Sequence, residues 1–428
     1  MTTDPLERRS FLKWISALPL FGYIAVQDLA TKARAAVGRT AQANIYTRLG
    51  VRPLINARGV WTYLGGSLEL PEVRAAKQAA AMHFVDILEL ERAVGSRLAE
   101  LSGAESGMIT SGAAGAMAAA TAACIAGSDP AKIWQLPDTA GLKHEVIMYG
   151  GRSAFDSAIR LAGGKLVLAY THEELQTAIN QNTAMVYTTP YAQSLEKMLA
   201  ITKKASVPLL MDDAAGLPPI EKLSRYAKMG FDLYTFSGGK GLSGPQCSGL
   251  LLGRKDLIDA ALANSCPWEG AVCRPMKVGK EEIMGCLAAV ETWTKRDLNS
   301  LNREWAARVK RIASLAETVP GVTTDIQIPD LDNSYPTLTV NWDEQAFGLT
   351  VSDCARKLRE GEPRIEVQTV ANPSLVQGVT EGNPTKSLPL DEPDKLQIIS
   401  VTLQPGEEMI VGRRLREILG EARKAKRA

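Results

Sequence analysis

The sequence predicts an α/β protein, with a large domain built on a mostly parallel sheet and a smaller C-terminal α+β domain. Two observations carry this. Short apolar runs at Glu145–Met148, Lys165–Leu168, Ala184–Thr188, Pro208–Asp212 and Asp232–Phe236 are separated by helical segments, and such alternation gives a mostly parallel sheet covered on both faces. The chain has 428 residues, 45% of them hydrophobic, enough to bury one large core and to divide naturally into two.

In chain order, a helical stretch is expected from Pro71 to Leu101, with proline in its first turn and Gly103 after its end. Met108–Thr110 reads as a strand running into the small-residue turn Ser111–Ala116 and an alanine-rich helix to about Ala126. After the five runs named above, Gly249–Gly253 reads as one more strand. A helix from about Lys280 to Arg296 follows, then strands at Pro336–Trp342 and Glu366–Thr369 and helices at Val351–Glu360 and Glu407–Leu419. The expected divisions are a leader over residues 1–35, a segment over 36–70 reaching the site or a neighbouring subunit, a large domain over 71–275 and a small one over 276–428.

Three features place chemistry on this frame. Lys240 follows the strand Asp232–Phe236 and is flanked by Gly238, Gly239 and Gly241. A lysine in a glycine-rich loop is commonly a solvated residue, but here an apolar strand ending in Asp212 and Asp213 precedes it by one βα unit. Parallel strands bring such ends to one crevice. Upstream, the strand–turn–helix at Thr110–Ala116 is the usual way to present free backbone N–H groups to a phosphate. A phosphate cradle, a carboxylate for a ring nitrogen and an amine for imine chemistry, in that order, describe a pyridoxal-phosphate site on an aminotransferase-like fold. If the strand continues to Asp213, alternation turns the two carboxylates to opposite faces, and only one of them meets the ring.

The chain also resembles the selenocysteine synthase/D-glucosaminate-6-phosphate ammonia lyase group of fold-type-I pyridoxal-phosphate enzymes. The resemblance rests on Leu49–Asn56, Leu64–Ser67, Thr110–Gly115, Asp213–Pro219, Ser237–Gly241, Gly244–Gln246 and Arg274–Glu281, and runs from about residue 45 to the C-terminus. It implies that Lys240 holds the cofactor as a Schiff base, that Asp213 contacts the pyridine nitrogen, and that Ser111, Gly112, Ala113 and Ser237 hold the phosphate. It also implies a homodimer or dimer of dimers, with Arg58, Trp61 and Tyr63 in a segment reaching a neighbour's site. Two positions depart from the group's pattern. Ser243 stands where many members carry arginine, and Tyr149–Phe155 contains no histidine to lie over the ring.

Substrate contacts are expected from the cations Arg274, Lys277, Arg58 and Arg152. Arg274 offers a planar guanidinium to a carboxylate, and Lys277 a second charge, the alternative being a solvated face beside the Lys280 helix. Arg152 and Phe155 are candidates to cover a cofactor face, or else a surface arginine and a core aromatic. His144 stands before a strand and is read as structural, with a reach into the site as the alternative.

Composition narrows the partners. Lys and Arg number 49 against 47 Asp and Glu, a net charge of +2, and no basic tract suggests nucleic acid. Six cysteines and three histidines show no metal-ligand spacing, so no metal is expected; a Cys266–Cys273 bridge is allowed in an oxidising compartment but not required. Arg8 and Arg9, Phe11–Lys13 and the mild apolar stretch Trp14–Val26 outline a twin-arginine export signal with a cleavage site near Ala35. The stretch is too short for a stable membrane span, so the protein is expected in the periplasm, with a cytoplasmic location as the alternative.

The reading is a pyridoxal-phosphate-dependent lyase, acting by α,β-elimination on a small hydroxylated or sugar-derived amino acid. A selenium transferase or aminotransferase on the same fold is the alternative. A non-catalytic cofactor-binding protein is the alternative of another class, and retention of both Lys240 and Asp213 speaks against it.

Overall fold

The computed structural model describes residues 44–331, 333–370 and 395–426; the export signal expected over residues 1–35 lies outside the described residues. The chain divides into two compact units. The larger comprises residues 60–301 and 328–334, and the smaller the residues up to 59, 302–327 and those from 335 onward.

The elements begin with β1 (Ile55–Ala57), α1 (Pro71–Ala81), α2 (Ile87–Ser102), β2 (Ser106–Thr110), α3 (Gly112–Ala126), α4 (Pro130–Gln135), β3 (Glu145–Tyr149), α5 (Asp156–Leu161) and β4 (Lys165–Ala169). Next come α6 (His172–Ala178), β5 (Thr183–Thr188), α7 (Leu195–Ala205), β6 (Leu209–Asp212), α8 (Lys222–Met229), β7 (Leu233–Ser237), β8 (Gly249–Gly253), α9 (Lys255–Ala263) and α10 (Lys280–Trp293). The chain continues through α11 (Leu298–Ala316), β9 (Thr323–Gln327), β10 (Thr337–Asn341), α12 (Glu344–Phe347), α13 (Val351–Glu360), β11 (Ile365–Val370), β12 (Lys395–Ile399) and α14 (Glu407–Ala425).

The larger unit is built on a seven-stranded sheet of order β2-β8-β7-β6-β5-β3-β4. Strands β3 to β7 run parallel, and β8 is antiparallel to both β7 and β2. One face packs against α3, α5 and α9. Met108, Met148, Tyr187, Leu210, Leu233 and Leu251 meet the alanines of α3 there, and methyl side chains let this helix lie close to the strands, buried on almost every side. On the opposite face, Tyr226 of α8 packs with its ring tilted against those of Tyr234 and Phe236 of β7. Helix α1 lies along α10.

The helix expected over Pro71–Leu101 is two helices. Residues 82–86 interrupt it, and Asp86 starts α2 afresh by accepting hydrogen bonds from the backbone N–H of Leu88 and Glu89, an N-cap that competes with helix continuation.

The smaller unit carries a five-stranded sheet of order β1-β11-β12-β10-β9, antiparallel except for the β1–β11 pair. Its core gathers Ile55, Val309, Ile312, Val340, Leu396, Ile398 and Leu415. The strands expected near Pro336–Trp342 and Glu366–Thr369 are β10 and β11. The sequence reading names neither β1, β9 and β12 as strands nor α11 as a helix.

Candidate active site

Sheet register brings the chemical residues of the larger unit to one edge. Gly249, the first residue of β8, pairs with Thr110 at the end of β2 and with Ser237 at the end of β7. Neighbouring strands lie roughly 4.8 Å apart, so the turn after Thr110 and the turn after Ser237 flank Gly249 at that distance on either side. Strand β6 ends at Asp212, which pairs with Thr235, two residues before Ser237. The carboxyl ends of β2, β7 and β6 therefore present Ser111–Ala113, Ser237–Lys240 and Asp212 side by side, as open parallel sheets do for their ligands.

The first of these groups is the amino end of α3. Ser111 is its N-cap and forms no side-chain cap bond, while the Thr110 hydroxyl donates to the Gly112 carbonyl at 2.9 Å and fixes the turn. Gly112 has φ +79°, a conformation that glycine adopts without steric cost. Behind it, a Cβ on Gly249 would lie 2.4 Å from the Gly112 carbonyl carbon, so the absence of a side chain on β8 is what lets the turn seat there. The first N–H groups of a helix have no partner within it and carry the positive end of its dipole.

The second group is the lysine turn. Lys240 is half-buried, and its ammonium forms no hydrogen bond or ion pair among the described residues. The turn is closed by Ser243 N–H donating to Lys240 O at 2.9 Å and Gly244 N–H donating to Gly238 O at 2.9 Å. A Cβ on Gly239 would fall 2.4 Å from Gln246 Cα, a close backbone approach that only glycine permits. Ser237 N–H donates to Ala214 O at 3.1 Å, tying the lysine turn to the residues after β6.

The two carboxylates part as alternation requires. Asp212 is two residues on from Leu210 and shares its face, the α3 side, where Tyr187 of β5 donates its hydroxyl to Asp212 Oδ2 at 2.8 Å. Burial, with the Asp212 charge adding to it, holds the Tyr187 phenol well above its usual range, so it remains a donor. Ser153 bonds to the same hydroxyl. Asp213 turns to the opposite face, 1% exposed, and its Oδ2 accepts the Tyr226 hydroxyl at 2.7 Å. Gly216 closes over it, since a Cβ there would fall within 2.3 Å of the Asp213 carboxyl atoms. Asp212 thus lies on the face of the sheet that α3 covers, and Asp213 on the other. The sequence signal for this was the spacing Leu210–Asp212 combined with the strand's end.

The other expected residues are placed as follows. Arg152 follows β3 and is ion-paired with buried Asp156, which Arg160 also contacts at 3.2 Å; burial opposes ionisation of Asp156, yet the two guanidinium groups hold it below the usual carboxylate range. Phe155 is exposed. Arg274 opens a single turn, Arg274–Met276, and its buried Nε has no hydrogen-bond partner among the described residues. Cys273 and Met276 from this turn line one cavity with Ser111, Thr110 and Glu91, which brings the turn beside the α3 cradle. Lys277 is exposed. Arg58 belongs to the smaller unit, just after β1, where its Nη1 donates to Val367 O at 3.4 Å. His144 stands at the amino end of β3, opposite the site, with Nδ1 2.8 Å from Leu142 O. All six cysteines are free thiols.

No family model matches the chain. It is 31% identical over 397 residues to the D-glucosaminate-6-phosphate ammonia lyase of Salmonella typhimurium, covering 89% of this chain and 99% of that one. It is 32% identical over 394 residues to a 5'-C-glycyluridine monooxygenase-decarboxylase of a Streptomyces species, covering 87% and 92%. The L-seryl-tRNA(Sec) selenium transferase of Moorella thermoacetica is more distant, 25% identical over 335 residues and covering 70% of this chain and 65% of that one. Among solved structures, that of a D-glucosaminate-6-phosphate ammonia lyase superposes with a TM-score of 0.74 at 29% identity over 89% of this chain and 99% of the other. Full-length similarity at this level, on the sheet and strand-end geometry described above, means that the chain belongs to the selenocysteine synthase/D-glucosaminate-6-phosphate ammonia lyase family and is a pyridoxal-phosphate-dependent enzyme of lyase or transferase type with the aminotransferase-like fold.

Proposed function

We propose that this chain binds pyridoxal 5'-phosphate through Lys240 and uses it for α,β-elimination from a small hydroxylated or sugar-derived amino acid. The observation that carries the reading is the donor set at one sheet edge: free helix N–H groups at Gly112 and Ala113, a carboxylate bonded by a tyrosine, and a half-buried lysine with no ion-pair partner among the described residues. These residues fit the cofactor's three polar parts. Ser111, Gly112, Ala113 and Ser237 would hold the phosphate; Gly249 leaves the cradle its shape. Asp212, rather than Asp213, is the carboxylate assigned to the ring nitrogen, because it shares the face of the cradle helix, whereas Asp213 is enclosed by Tyr226 and Gly216.

The bound cofactor supplies an electron sink for the pair left at the substrate's α-carbon. The Tyr187 hydroxyl orients Asp212, which as a carboxylate would favour a proton on the ring nitrogen. Once the substrate amine had replaced it, Lys240 Nζ would take the α-proton; the Cα–H pair would form the Cα–Cβ double bond, and the β-substituent would leave with the pair of its own bond to Cβ. Arg274, whose buried Nε has no hydrogen-bond partner among the described residues, is the candidate for the substrate carboxylate. The ammonia lyase of Salmonella typhimurium acts, by its name, on D-glucosaminate-6-phosphate, a phosphorylated amino acid derived from a sugar, which supports the sugar-derived substrate class.

The test is an absorption spectrum of the purified chain with a panel of D- and L-amino acids, repeated on three variants. Lys240→Ala is expected to lose the visible cofactor band and keep its fold. Asp212→Asn is expected to lower turnover by about 100-fold or more, as loss of a key electrostatic group does, and Asp213→Asn to act on stability first. A wild-type protein that shows no band after reconstitution overturns the reading, and the opposite ranking of the two aspartates overturns the assignment of Asp212.

A further inference from the structure

The segment Trp61–Leu70 lies as a strap across the lysine turn. Gln246 Nε2 donates to Thr62 O at 2.9 Å, and Leu70 N–H donates to Ser243 O at 3.0 Å. Between these anchors Ser67 makes the closest contacts. Its hydroxyl lies 2.7 Å from Lys240 O and 3.1 Å from Gly239 O, and its N–H lies 3.3 Å from Gly239 O. A hydroxyl has one proton, so the shorter bond, to Lys240 O, takes most of it, and the Gly239 carbonyl is served by the backbone N–H.

Resting on the proposed reading of Lys240 as the cofactor lysine, we propose that Ser67 is a positioning residue that aims Lys240 by holding the carbonyls of Gly239 and Lys240. The need for such a clamp follows from the sequence. Lys240 is flanked by Gly238, Gly239 and Gly241, and glycine lets backbone torsions wander where other residues restrict them. The lysine Cα–Cβ direction is set by those torsions, and a displacement of about 1 Å at a reacting amine costs on the order of 100-fold in rate. Ser243, at φ +53°, is a non-glycine residue in the left-handed region; its N–H and its carbonyl are both tied, to Lys240 O and Leu70 N–H. The strap and the lysine turn thus hold one another, and Ser67 is the point where a side chain does the holding. Ser67 touches the main chain of Lys240 rather than substrate, so its effect should appear in how readily the amine reacts.

The experiment is reductive trapping. The full chain is incubated with pyridoxal phosphate, quenched with borohydride at timed intervals, and the modified Lys240 peptide is quantified by mass spectrometry. The variants are Ser67→Ala, Ser67→Thr and Gln246→Ala, each with a melting curve. Ser67→Ala is expected to slow labelling of Lys240 by about five- to tenfold, the loss of one ordinary hydrogen bond, with Ser67→Thr restoring most of it. Equal labelling in the wild type and in a folded Ser67→Ala overturns the proposal. If Ser67→Ala does not fold, Gln246→Ala, which cuts the other end of the strap, is read instead, and unchanged labelling there overturns it. A wild type that is never labelled at Lys240 overturns the cofactor reading as well, which separates the two failures.

Discussion

Glu91 is a buried carboxyl on α2, 4% exposed, whose Oε2 accepts the backbone N–H of Ile109 at 3.0 Å. Strand β2 is an edge strand of the sheet, so this N–H has no neighbouring strand to serve it, and the carboxyl replaces one. Burial pushes the Glu91 pKa up to about 8, the Ile109 hydrogen bond working against it. Between the ordinary value of 4.5 and about 8 the folded chain binds more protons here than the unfolded chain. Its stabilising contribution is therefore whole at low pH and declines as pH rises through that window, with a limiting slope of about 1.4 kcal/mol per pH unit. Glu91→Gln keeps an acceptor for Ile109 and cannot ionise. Its melting temperature is expected to gain on the wild type as pH rises from 5 toward 9; parallel pH profiles would refute the account. Single residues were also where the sequence was hardest to read. Lys240 and the turn at Ser111 could be picked out because their neighbours are small residues in turns, and Ser237 only through the family resemblance, whereas the choice between Asp212 and Asp213 depends on where β6 ends, a boundary that one-residue shifts invert.

At the scale of elements, α3 is the piece that joins core and cradle. Its alanines face β5 to β8 and the helices around them, and Ala120 has no exposure at all. A helix whose spacing from the sheet is set by methyl groups has no room for larger ones, and its first turn is the N–H cradle itself. Ala120→Leu is expected to destabilise the chain by about 1–3 kcal/mol through overpacking and to weaken cofactor retention together with it, read by thermal melting and by the visible band after dialysis. Full stability with an unchanged band would mean that the helix can shift without cost. This helix was plain in the sequence, as were the parallel strands, since their apolar runs are short and bounded. Strands β1, β9 and β12 and helix α11 were not, and two of them show why. Strand β9, Thr323–Gln327, contains a single large apolar residue, Ile326, and lies at a sheet edge, so it lacks the alternation that marks a half-buried strand. Strand β1 has three residues and is specified by its parallel partner Ile365–Val367, more than 300 positions away.

At the scale of the molecule, the site is assembled from strand ends that stand between 110 and 249 in sequence, and the order β2-β8-β7-β6 is what makes them neighbours. Alternating strands and helices made that edge legible in outline; the identity of the departing group is not legible, because elimination, replacement and transamination share the same first proton transfer. The surface of the larger unit adds one further expectation. Met82, Phe84 and Val85, between α1 and α2, are all exposed, Phe84 fully so, and Trp61 and Tyr63 on the strap are exposed with rings 6.3 Å apart. Large apolar side chains grouped in this way cost solubility unless something covers them, and a second copy of the chain is the occupant proposed here. A twofold interface uses each residue twice. With about 1.5–3 kcal/mol for burying one phenylalanine, Phe84→Asp should weaken dimerisation by roughly 100-fold or more. Light scattering after size exclusion is expected to give twice the mass of one chain for the wild type and one chain mass for Phe84→Asp at micromolar concentration. A wild type that is monomeric and fully active at that concentration would show that the apolar bend serves something other than self-association.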